Sequence, residues 1–298
     1  MGKVAIIIVL LSITSPALCI GQSKQKQNID SGYALVNGTK LYYEIAGKGE
    51  PLILIHGSFG DRRFWIHQFN ALSKKFKVIC YDIRGFGKSA LPDSNESYTD
   101  AADLDALMQY LKIDKAHLCG LSLGSFIVID MALAYPQRCI SLIPAGPRVA
   151  GDGTTENSDS IRAIIAKATA IVKEQGAKAA TDFLWMGNHA MGYTVISRST
   201  RKTLLQMGYE YSWWRYLHSS KRDYAVPDGI KRLNELKIPT LIVTSEFDLA
   251  LCKDVASTMA KQISTSKLVS IKGAGHIMNM DKPEEFNQLV TNFIKNLK

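Results

Sequence analysis

The sequence predicts an α/β fold with a mostly parallel eight-stranded sheet, helices on both faces, an N-terminal hairpin and an inserted helical cap. Short apolar runs alternate with stretches in which apolar residues recur at helical spacing, which is typical of a parallel sheet buried on both sides. An Asn-Gly pair between two alternating runs predicts the hairpin. The alternation stops between residues 147 and 236, where the pattern is helical, and this interruption predicts the cap.

The predicted strands are of two kinds. The first two form the hairpin, because Asn37-Gly38 between alternating apolar residues is the strongest short-range turn signal. The others are short apolar runs, as expected of strands buried on both faces. In chain order the predicted strands cover residues 33–36, 41–45, 52–55, 76–81, 116–119, 140–143, 241–244 and 268–271.

Helices are predicted where apolar residues recur every three or four positions between these strands. The stretch after the strand 116–119 is almost entirely apolar and ends before Pro136, which cannot continue a helix. The predicted helices cover residues 65–72, 104–111, 125–135 and 286–293 in the core, with 161–174 and 177–185 the clearest in the cap.

The predicted cap contains Trp185, Trp213 and Trp214. Aromatic side chains in such a segment either line an apolar substrate pocket or form its own packing core, and the pattern leaves both alternatives open. The strand pattern resumes after residue 239. We therefore predict an α/β core of residues 32–146 and 237–298, with the cap formed by residues 147–236.

The N-terminus predicts an exported protein, periplasmic or extracellular. Lys3, an apolar run and small residues at positions 17 and 19 resemble a secretory signal over residues 1–19. The apolar run is shorter than the roughly 20 residues of a comfortable membrane span, which makes an uncleaved anchor the weaker alternative. Lipid attachment at Cys19 is weaker still, because Leu18 is bulky. Residues 20–31 are polar and predict a flexible linker.

Composition narrows the class of protein. With 36 basic and 27 acidic residues the formal charge is +9, but the basic residues are scattered rather than clustered, which disfavours nucleic-acid binding. Cys80, Cys119, Cys139 and Cys252 are widely spaced and form no zinc or redox motif. We expect no disulfide framework, no stable membrane insertion of the mature chain and a small-molecule partner; the oligomeric state is left open.

The motif at residues 120–124, Gly-Leu-Ser-Leu-Gly, presents Ser122 as a candidate nucleophile. A GxSxG turn between a strand and a helix is a nucleophile elbow, which holds the serine hydroxyl at the top of a sheet. The turn is strained, and its glycines avoid clashes with the neighbouring strand and helix. Strand 116–119, the motif and helix 125–135 follow in the required order.

A serine hydroxyl needs a base, and that base needs a carboxylate to orient it. His276 follows a predicted strand in a glycine-rich loop, and Asp248 follows the strand 241–244. Both are predicted at the same sheet edge as Ser122, in the order Ser, Asp, His of this type of site. Glu246 is a competing carboxylate, but its position two residues earlier predicts a place nearer the strand end.

With these residues in view, the chain resembles the α/β-hydrolase fold superfamily, of the small capped esterase and lactonase type. The resemblance covers most of residues 32–146 and 237–298. Each segment alone is a weak signal, whereas their order and spacing are specific. The matching segments are His-Gly after strand 52–55, Asp-Ile-Arg-Gly-Phe-Gly-Lys-Ser at 82–89, the elbow, Ser-Glu-Phe-Asp at 245–248, and Gly-His at 275–276 followed by Asp281 and Pro283.

The resemblance implies an oxyanion hole formed by the backbone amides of Ser58 and Leu123. Leu123 begins a predicted helix, whose free amides favour developing negative charge. His56 is expected to order the turn around the oxyanion loop rather than to transfer protons. The motif residues Asp82, Arg84, Gly85 and Gly87 are expected to shape a loop through hydrogen bonds and permissive backbone angles.

The resemblance implies a serine hydrolase that cleaves a small carboxylic ester or lactone through an acyl-enzyme on Ser122, with no metal or organic cofactor. A serine at the elbow excludes relatives that use aspartate there. Carbon-carbon hydrolysis, perhydrolysis and a non-catalytic ligand receptor stay open as alternatives. Peptidase activity is less favoured, because proline iminopeptidases usually have Gly-Gly-Ser-Trp-Gly at the elbow.

Overall fold

A computed structural model describes residues 29–93, 95–154, 158–186, 198–218 and 222–297. The predicted signal at 1–19 and most of the predicted linker lie outside these residues. The first strand begins at Ile29, so the end of the predicted linker is part of the strand. The reason is the hairpin register, which continues until Ile29 pairs with Ala46 at the end of the second strand.

Eight strands form one sheet, in the order β1-β2-β4-β3-β6-β7-β9-β10. Within this sheet, β2 alone runs in the direction opposite to the other strands. In the described part of the chain, two further strands, β5 and β8, form a short parallel pair. The strands are β1 Ile29–Val36, β2 Thr39–Ala46, β3 Pro51–Ile55, β4 Lys77–Tyr81, β5 Tyr98–Thr99, β6 Ala116–Leu121, β7 Cys139–Ala145, β8 Arg222–Asp223, β9 Thr240–Phe247 and β10 Ser266–Gly275. The predicted eight-stranded, mostly parallel sheet is confirmed.

The hairpin turn is the one that the Asn-Gly pair predicts. Asn37 and Gly38 adopt φ angles of 46° and 68°, both in the left-handed region. Two consecutive residues of this kind form the turn whose twist matches that of antiparallel strands. Val36 therefore pairs directly with Thr39.

A helix forms at each of the four positions predicted in the core, and residues 250–262 form a core helix that was not predicted. The helix predicted at 65–72 begins as a 3-10 turn, Arg62–Trp65. In the cap, the two predicted helices are joined across a break at Gly176, where φ is 85° and ψ is 172°. The helices are α1 Ile66–Leu72, α2 Asp100–Tyr110, α3 Leu123–Ala134, α4 Ser158–Trp185, α5 Arg198–Glu210, α6 Trp214–Leu217, α7 Ala250–Gln262, α8 Met278–Asp281 and α9 Pro283–Lys295.

The core has two halves, one on each face of the sheet. Ile53 and Ile55 of β3 point into the half that contains apolar residues of α2, α3 and α7. Leu52 and Leu54 of the same strand point into the half formed with α1, α8 and α9. Successive strand residues face opposite sides, so a run of four apolar residues is required to supply both halves.

The cap segment between β7 and β9 is attached to the core by buried polar contacts. The Asp130 carboxylate of α3 accepts hydrogen bonds from the amides of Ala225 and Val226, at 2.8 and 2.7 Å. Arg215 and Arg222 both form ion pairs with Asp100 at the start of α2. Burial alone would raise the pKa of Asp100, but these two positive charges lower it well below its usual range.

Two further features concern the part of the chain that the structure describes. No helix there combines the length and the apolar character needed to cross a bilayer. Its four cysteines carry free thiols and are buried. Burial raises the pKa of the Cys139 thiol to about 12, so this thiol is protonated at neutral pH.

Candidate active site

The predicted catalytic side chains lie just beyond the carboxyl ends of three strands. Ser122 follows β6, Asp248 follows β9 and His276 follows β10. These strands are parallel members of one sheet, so their carboxyl ends meet at the same edge. This edge is where ligands bind in open α/β sheets.

Ser122 occupies a strained turn between β6 and α3. Its φ of 53° and ψ of −107° lie outside the regions that side-chain-bearing residues normally occupy, at a cost of about 1–3 kcal/mol. The turn is held by the Ser122 amide, which donates to the Ala145 carbonyl at 2.9 Å. The Ser122 carbonyl accepts from the Ser125 amide at 2.9 Å and from the Ser125 hydroxyl at 2.8 Å. The side chain is half-buried.

Both glycines of the elbow are required by close packing. A Cβ at Gly120 would lie 2.2 Å from the Gly124 carbonyl oxygen, and one at Gly124 would lie 2.1 Å from the Ile55 carbonyl oxygen. These distances are far shorter than any tolerated contact. Strand β6, helix α3 and the end of β3 therefore approach one another as closely as their backbones permit.

Asp248 and His276 form a buried hydrogen-bonded pair. The distance from His276 Nδ1 to Asp248 Oδ1 is 2.6 Å. The same carboxylate also accepts from the Leu249 amide at 2.8 Å and from the Thr244 hydroxyl at 3.0 Å. These additional donors fix the carboxylate, which in turn fixes the orientation of the imidazole.

The second nitrogen of His276 is free. Nε2 is buried and has no hydrogen-bond partner in the described part of the chain. The ring packs on Gly146, where a Cβ would come within 2.8 Å of His276 Cε1. Gly146 directly follows Ala145, the residue whose carbonyl binds the Ser122 amide. The structure thus brings the imidazole to the chain segment that supports the elbow.

The chain segments that contain the two predicted oxyanion donors lie beside Ser122. Gly57 packs against the elbow, because a Cβ there would lie 3.5 Å from Ser122 Cβ. Ser58 is the next residue and is half-buried. Leu123 is the first residue of α3, and the first amides of a helix have no acceptor within the helix. The geometry therefore places both chain segments beside the candidate nucleophile.

His56 has both ring nitrogens occupied. Nδ1 donates to the Gly57 carbonyl at 2.7 Å, and Nε2 accepts from the Ile83 amide at 3.0 Å. Burial lowers the pKa of His56 to about 4, so the ring is neutral at physiological pH. It connects the loops that follow β3 and β4, in agreement with the structural role expected for it.

The motif at 82–89 forms a rigid loop. The Asp82 carboxylate accepts from the amides of Arg62 and Lys88, both at 2.9 Å. Gly85 and Gly87 adopt φ angles of 88° and 50°. Arg84 is buried and pairs with Asp103 of α2 at 2.7 Å. The loop therefore connects β4 to α2 and to the turn before α1.

Two other carboxylates belong to the matching sequence segments. Glu246 was considered as a competitor of Asp248, and Asp281 had no predicted role. Glu246 accepts from the Gly273 amide at 2.9 Å and is exposed, and no hydrogen bond joins it to His276. Asp281 accepts from the Gly275 amide at 2.8 Å and thus supports the loop that presents His276. Burial raises the pKa of Asp281 to about 6. The sequence shows that Asp281 follows Gly275-His276, but it does not show the hydrogen bond from the Gly275 amide.

An aromatic cluster joins the cap to the loop after β3. Trp213 is fully buried and lies 5.1 Å from Phe59, between ring centroids. Sequence reasoning identified Trp213 but missed its partners, which lie in distant segments. Trp214, by contrast, stacks on the exposed His218. The members of the aromatic cluster are Phe59, Phe86, Tyr211, Trp213 and Tyr216.

Among the described residues, one group of side chains has donor atoms close enough together to hold a metal ion. Ligand atoms of Asp248, Cys252 and His276 lie within 4.8 Å of one another. Two of these donors already hydrogen-bond each other at 2.6 Å. We therefore interpret the group as a hydrogen-bonded pair beside a buried thiol.

Comparison with known proteins places this geometry in context. The family model for the alpha/beta hydrolase fold matches residues 50–283. RutD of Azorhizobium caulinodans, for which carbamate hydrolysis is the suggested activity, is 26% identical over 88% of this chain and 97% of RutD. The proline iminopeptidase of Lactobacillus helveticus is 28% identical over 86% of this chain and 95% of the peptidase.

Among solved structures, an esterase from Exiguobacterium antarcticum superposes with a TM-score of 0.75. It is 24% identical, and the match covers 89% of this chain and all of the esterase (100%). At this identity the superposition shows a shared fold. Relatives with different named activities thus share the architecture that carries the site.

Proposed function

Because the chain belongs to the α/β-hydrolase fold family, we propose that it is a serine hydrolase that cleaves a small carboxylic ester or lactone through an acyl-enzyme on Ser122. The observation that carries the proposal is the state of His276. Its Nδ1 is bound to a buried carboxylate, while its buried Nε2 has no partner within the described residues. An imidazole in this state is arranged to accept a proton from a neighbouring hydroxyl.

The first half of the reaction forms the acyl-enzyme. His276 Nε2 takes the proton of the Ser122 hydroxyl as the oxygen attacks the acyl carbonyl. Asp248 holds the imidazole in the Nδ1–H tautomer and stabilises the imidazolium that forms. The amides of Ser58 and Leu123 stabilise the oxyanion, and each such donor contributes about 3 kcal/mol to the transition state. His276 then protonates the departing alcohol oxygen.

The second half repeats the same steps with water. His276 deprotonates a water molecule, which attacks the acyl carbonyl, and the tetrahedral intermediate collapses to release the acid and the serine. In apo structures the hydrogen bond between nucleophile and base is often long. The absence of a Ser122 partner on Nε2 is therefore compatible with this mechanism.

An organophosphonate probe tests the nucleophile directly. We expect mass spectrometry to find one adduct on Ser122, none in Ser122→Ala and an unchanged adduct in Ser257→Ala. Ser257 is a matched control, because it is an exposed serine on α7. Labelling that survives Ser122→Ala would overturn the assignment of the nucleophile.

A substrate panel tests the bond that is cleaved. Short-chain nitrophenyl esters and simple lactones should be hydrolysed with steady-state turnover that Ser122→Ala abolishes. Proline naphthylamide and a carbon-carbon hydrolase substrate belong in the same panel, since carbamates, peptides and esters all present an acyl carbonyl. Preference for the amide would contradict the ester assignment, and stoichiometric binding without turnover would indicate a receptor.

Export is a separate proposal, supported by the sequence pattern of residues 1–19. Mass spectrometry of protein made from the full chain in a host that secretes it should find a mature N-terminus at or near Ile20. An intact N-terminus in the soluble fraction of the cytoplasm would contradict it.

A further inference from the structure

One tyrosine of the cap packs on the loop that carries the proposed oxyanion donor. Tyr216, on α6, stacks on Phe59 with ring centroids 5.0 Å apart and an interplanar angle of 18°. Burial raises the pKa of the Tyr216 hydroxyl, and the neighbouring Ser58 side chain partly offsets this shift, so the two hydroxyls lie side by side. We call residues 56–60 the oxyanion loop. A single cap side chain therefore packs on Phe59 and lies beside Ser58, the residue whose amide is proposed to bind the oxyanion.

The oxyanion loop needs such support. Phe59 has a φ of 64°, in the left-handed region that bulky residues avoid. Its side chain is only 2% exposed, because Tyr211, Trp213 and Tyr216 surround it. Strain of about 1–3 kcal/mol at such a residue persists only when its surroundings determine the conformation. Here those surroundings are supplied by the cap.

The cap element that carries Tyr216 is itself fixed. Trp213, directly before α6, is fully buried. Arg215 forms a buried ion pair with Asp100 and donates from Nε to the Arg84 carbonyl at 3.1 Å. Both contacts are with the core. The Tyr216 ring is therefore held in a fixed position against the oxyanion loop.

We propose that Tyr216 is a positioning residue that couples docking of the cap to the geometry of the oxyanion hole, acting through the side chains of Ser58 and Phe59. The inference rests on the proposed function, because it requires the Ser58 amide to bind the oxyanion. The hydroxyl pair orients the Ser58 peptide group, and the ring stack holds Phe59 in its left-handed conformation. A chain that lacks the pair keeps its nucleophile and base but presents a less ordered donor.

Two single variants and their combination test the coupling. Tyr216→Phe removes only the phenol oxygen, and Ser58→Ala removes only its partner. Each should lower kcat for a nitrophenyl ester about 10-fold with KM within twofold of the wild type, because the lost interaction acts in the transition state. The double variant should be no slower than either single one, because both remove the same interaction.

The control is Tyr209→Phe, since Tyr209 is a cap tyrosine whose hydroxyl bonds to Asp182 at the surface. This variant should leave kcat unchanged. Additive effects of Ser58→Ala and Tyr216→Phe, or an unchanged kcat in Tyr216→Phe, would refute the coupling. A lower melting temperature with unchanged kcat would show a purely structural contact.

Amide hydrogen exchange gives a readout that does not need activity. In Tyr216→Phe, exchange of a peptide spanning residues 56–60 should be about 10-fold faster, whereas a peptide from α9 should be unchanged. Unchanged exchange of the loop refutes the inference even if no substrate is hydrolysed. Conversely, retention of activity in Ser122→Ala refutes the proposed function. The exchange experiment then still tests whether Tyr216 orders the oxyanion loop.

Discussion

At the scale of single residues, the site depends on side chains that are held by more than one partner. The Asp248 carboxylate binds His276, Leu249 and Thr244, so its position does not depend on the imidazole alone. Its place beside His276 was predictable from chain order and strand pattern. The support that Asp281 gives to the His276 loop was not, because it depends on a contact formed only when α8 folds back.

Asp248→Asn should preserve shape while replacing a carboxylate, which only accepts hydrogen bonds, with an amide that can donate to His276 and favour the wrong tautomer. We expect kcat for a nitrophenyl ester to fall by about 10³–10⁴, as for the equivalent change in other triads. Glu246→Gln is the control, because this exposed side chain binds the Gly273 amide and not the imidazole. Equal losses in the two variants would contradict the assignment of Asp248.

Asp281→Asn should change how stability depends on pH. The pKa of Asp281 is raised to about 6 by burial, from 3.8 in the unfolded chain. A raised carboxyl pKa means that the native state binds the proton more tightly, so stability is lost as pH rises from about 4 through about 6. The Asp281→Asn variant has no carboxyl group at this position, so it does not lose stability in this way.

We therefore expect the free energy of unfolding of Asp281→Asn, relative to the wild type, to rise by about 1–2 kcal/mol between pH 4 and pH 7, a value reduced for partial exposure. Urea titrations at both pH values measure it. Glu284→Gln, an exposed change near the start of α9, should show no such difference. A relative stability that is independent of pH would argue against burial of the charge.

At the scale of elements, short-range sequence patterns predicted most of the strands and helices that form. Core strands and helices are long enough to show their period, and the Asn-Gly turn is encoded locally. The pair β5 and β8 was not predicted, because it joins residues that are distant in sequence. The backbone contact between α3 and β3 was predicted only in part. The GxSxG motif implies that the helix and the strand approach closely, but only the structure gives the distance.

Gly124→Ala should disrupt that contact. Its Cβ would lie 2.1 Å from the Ile55 carbonyl oxygen, and neither backbone can move without displacing β3 or the elbow. We expect a loss of more than about 3 kcal/mol in the free energy of unfolding. Gly176→Ala isolates backbone strain, because Gly176 has a φ of 85° but nothing within 4 Å of an added Cβ, and it should cost about 1–3 kcal/mol. Urea denaturation measures both losses; a loss in Gly124→Ala no larger than that in Gly176→Ala would show that small backbone shifts relieve the clash.

At the scale of the whole molecule, the cap and the core are joined by contacts that cross the sheet edge. The position of the cap in the chain was predictable, because the strand pattern stops and resumes around it. How it docks was not, because Asp100, Arg215 and Arg222 come from three segments. These contacts are buried, so cap and core should unfold together in the wild type.

Asp100→Asn should separate the two unfolding events. It leaves two arginine charges without their buried partner, and breaking such a group costs about 3–5 kcal/mol. Three of the four tryptophans lie in the cap segment, so fluorescence reports mainly on the cap, whereas far-UV circular dichroism reports on the whole chain. In urea, the two signals should coincide for the wild type, while in Asp100→Asn the fluorescence change should come first.

Asp228→Asn supplies the comparison for this experiment, because the Asp228 pair with Lys231 is exposed and should contribute at most about 1 kcal/mol. If Asp100→Asn loses no more stability than Asp228→Asn and its two signals still coincide, then the aromatic cluster, and not the ion pairs, holds the cap on the core. In that case Tyr216→Phe, which keeps the ring, should leave docking intact, and Trp213→Ala should be the variant that separates the transitions.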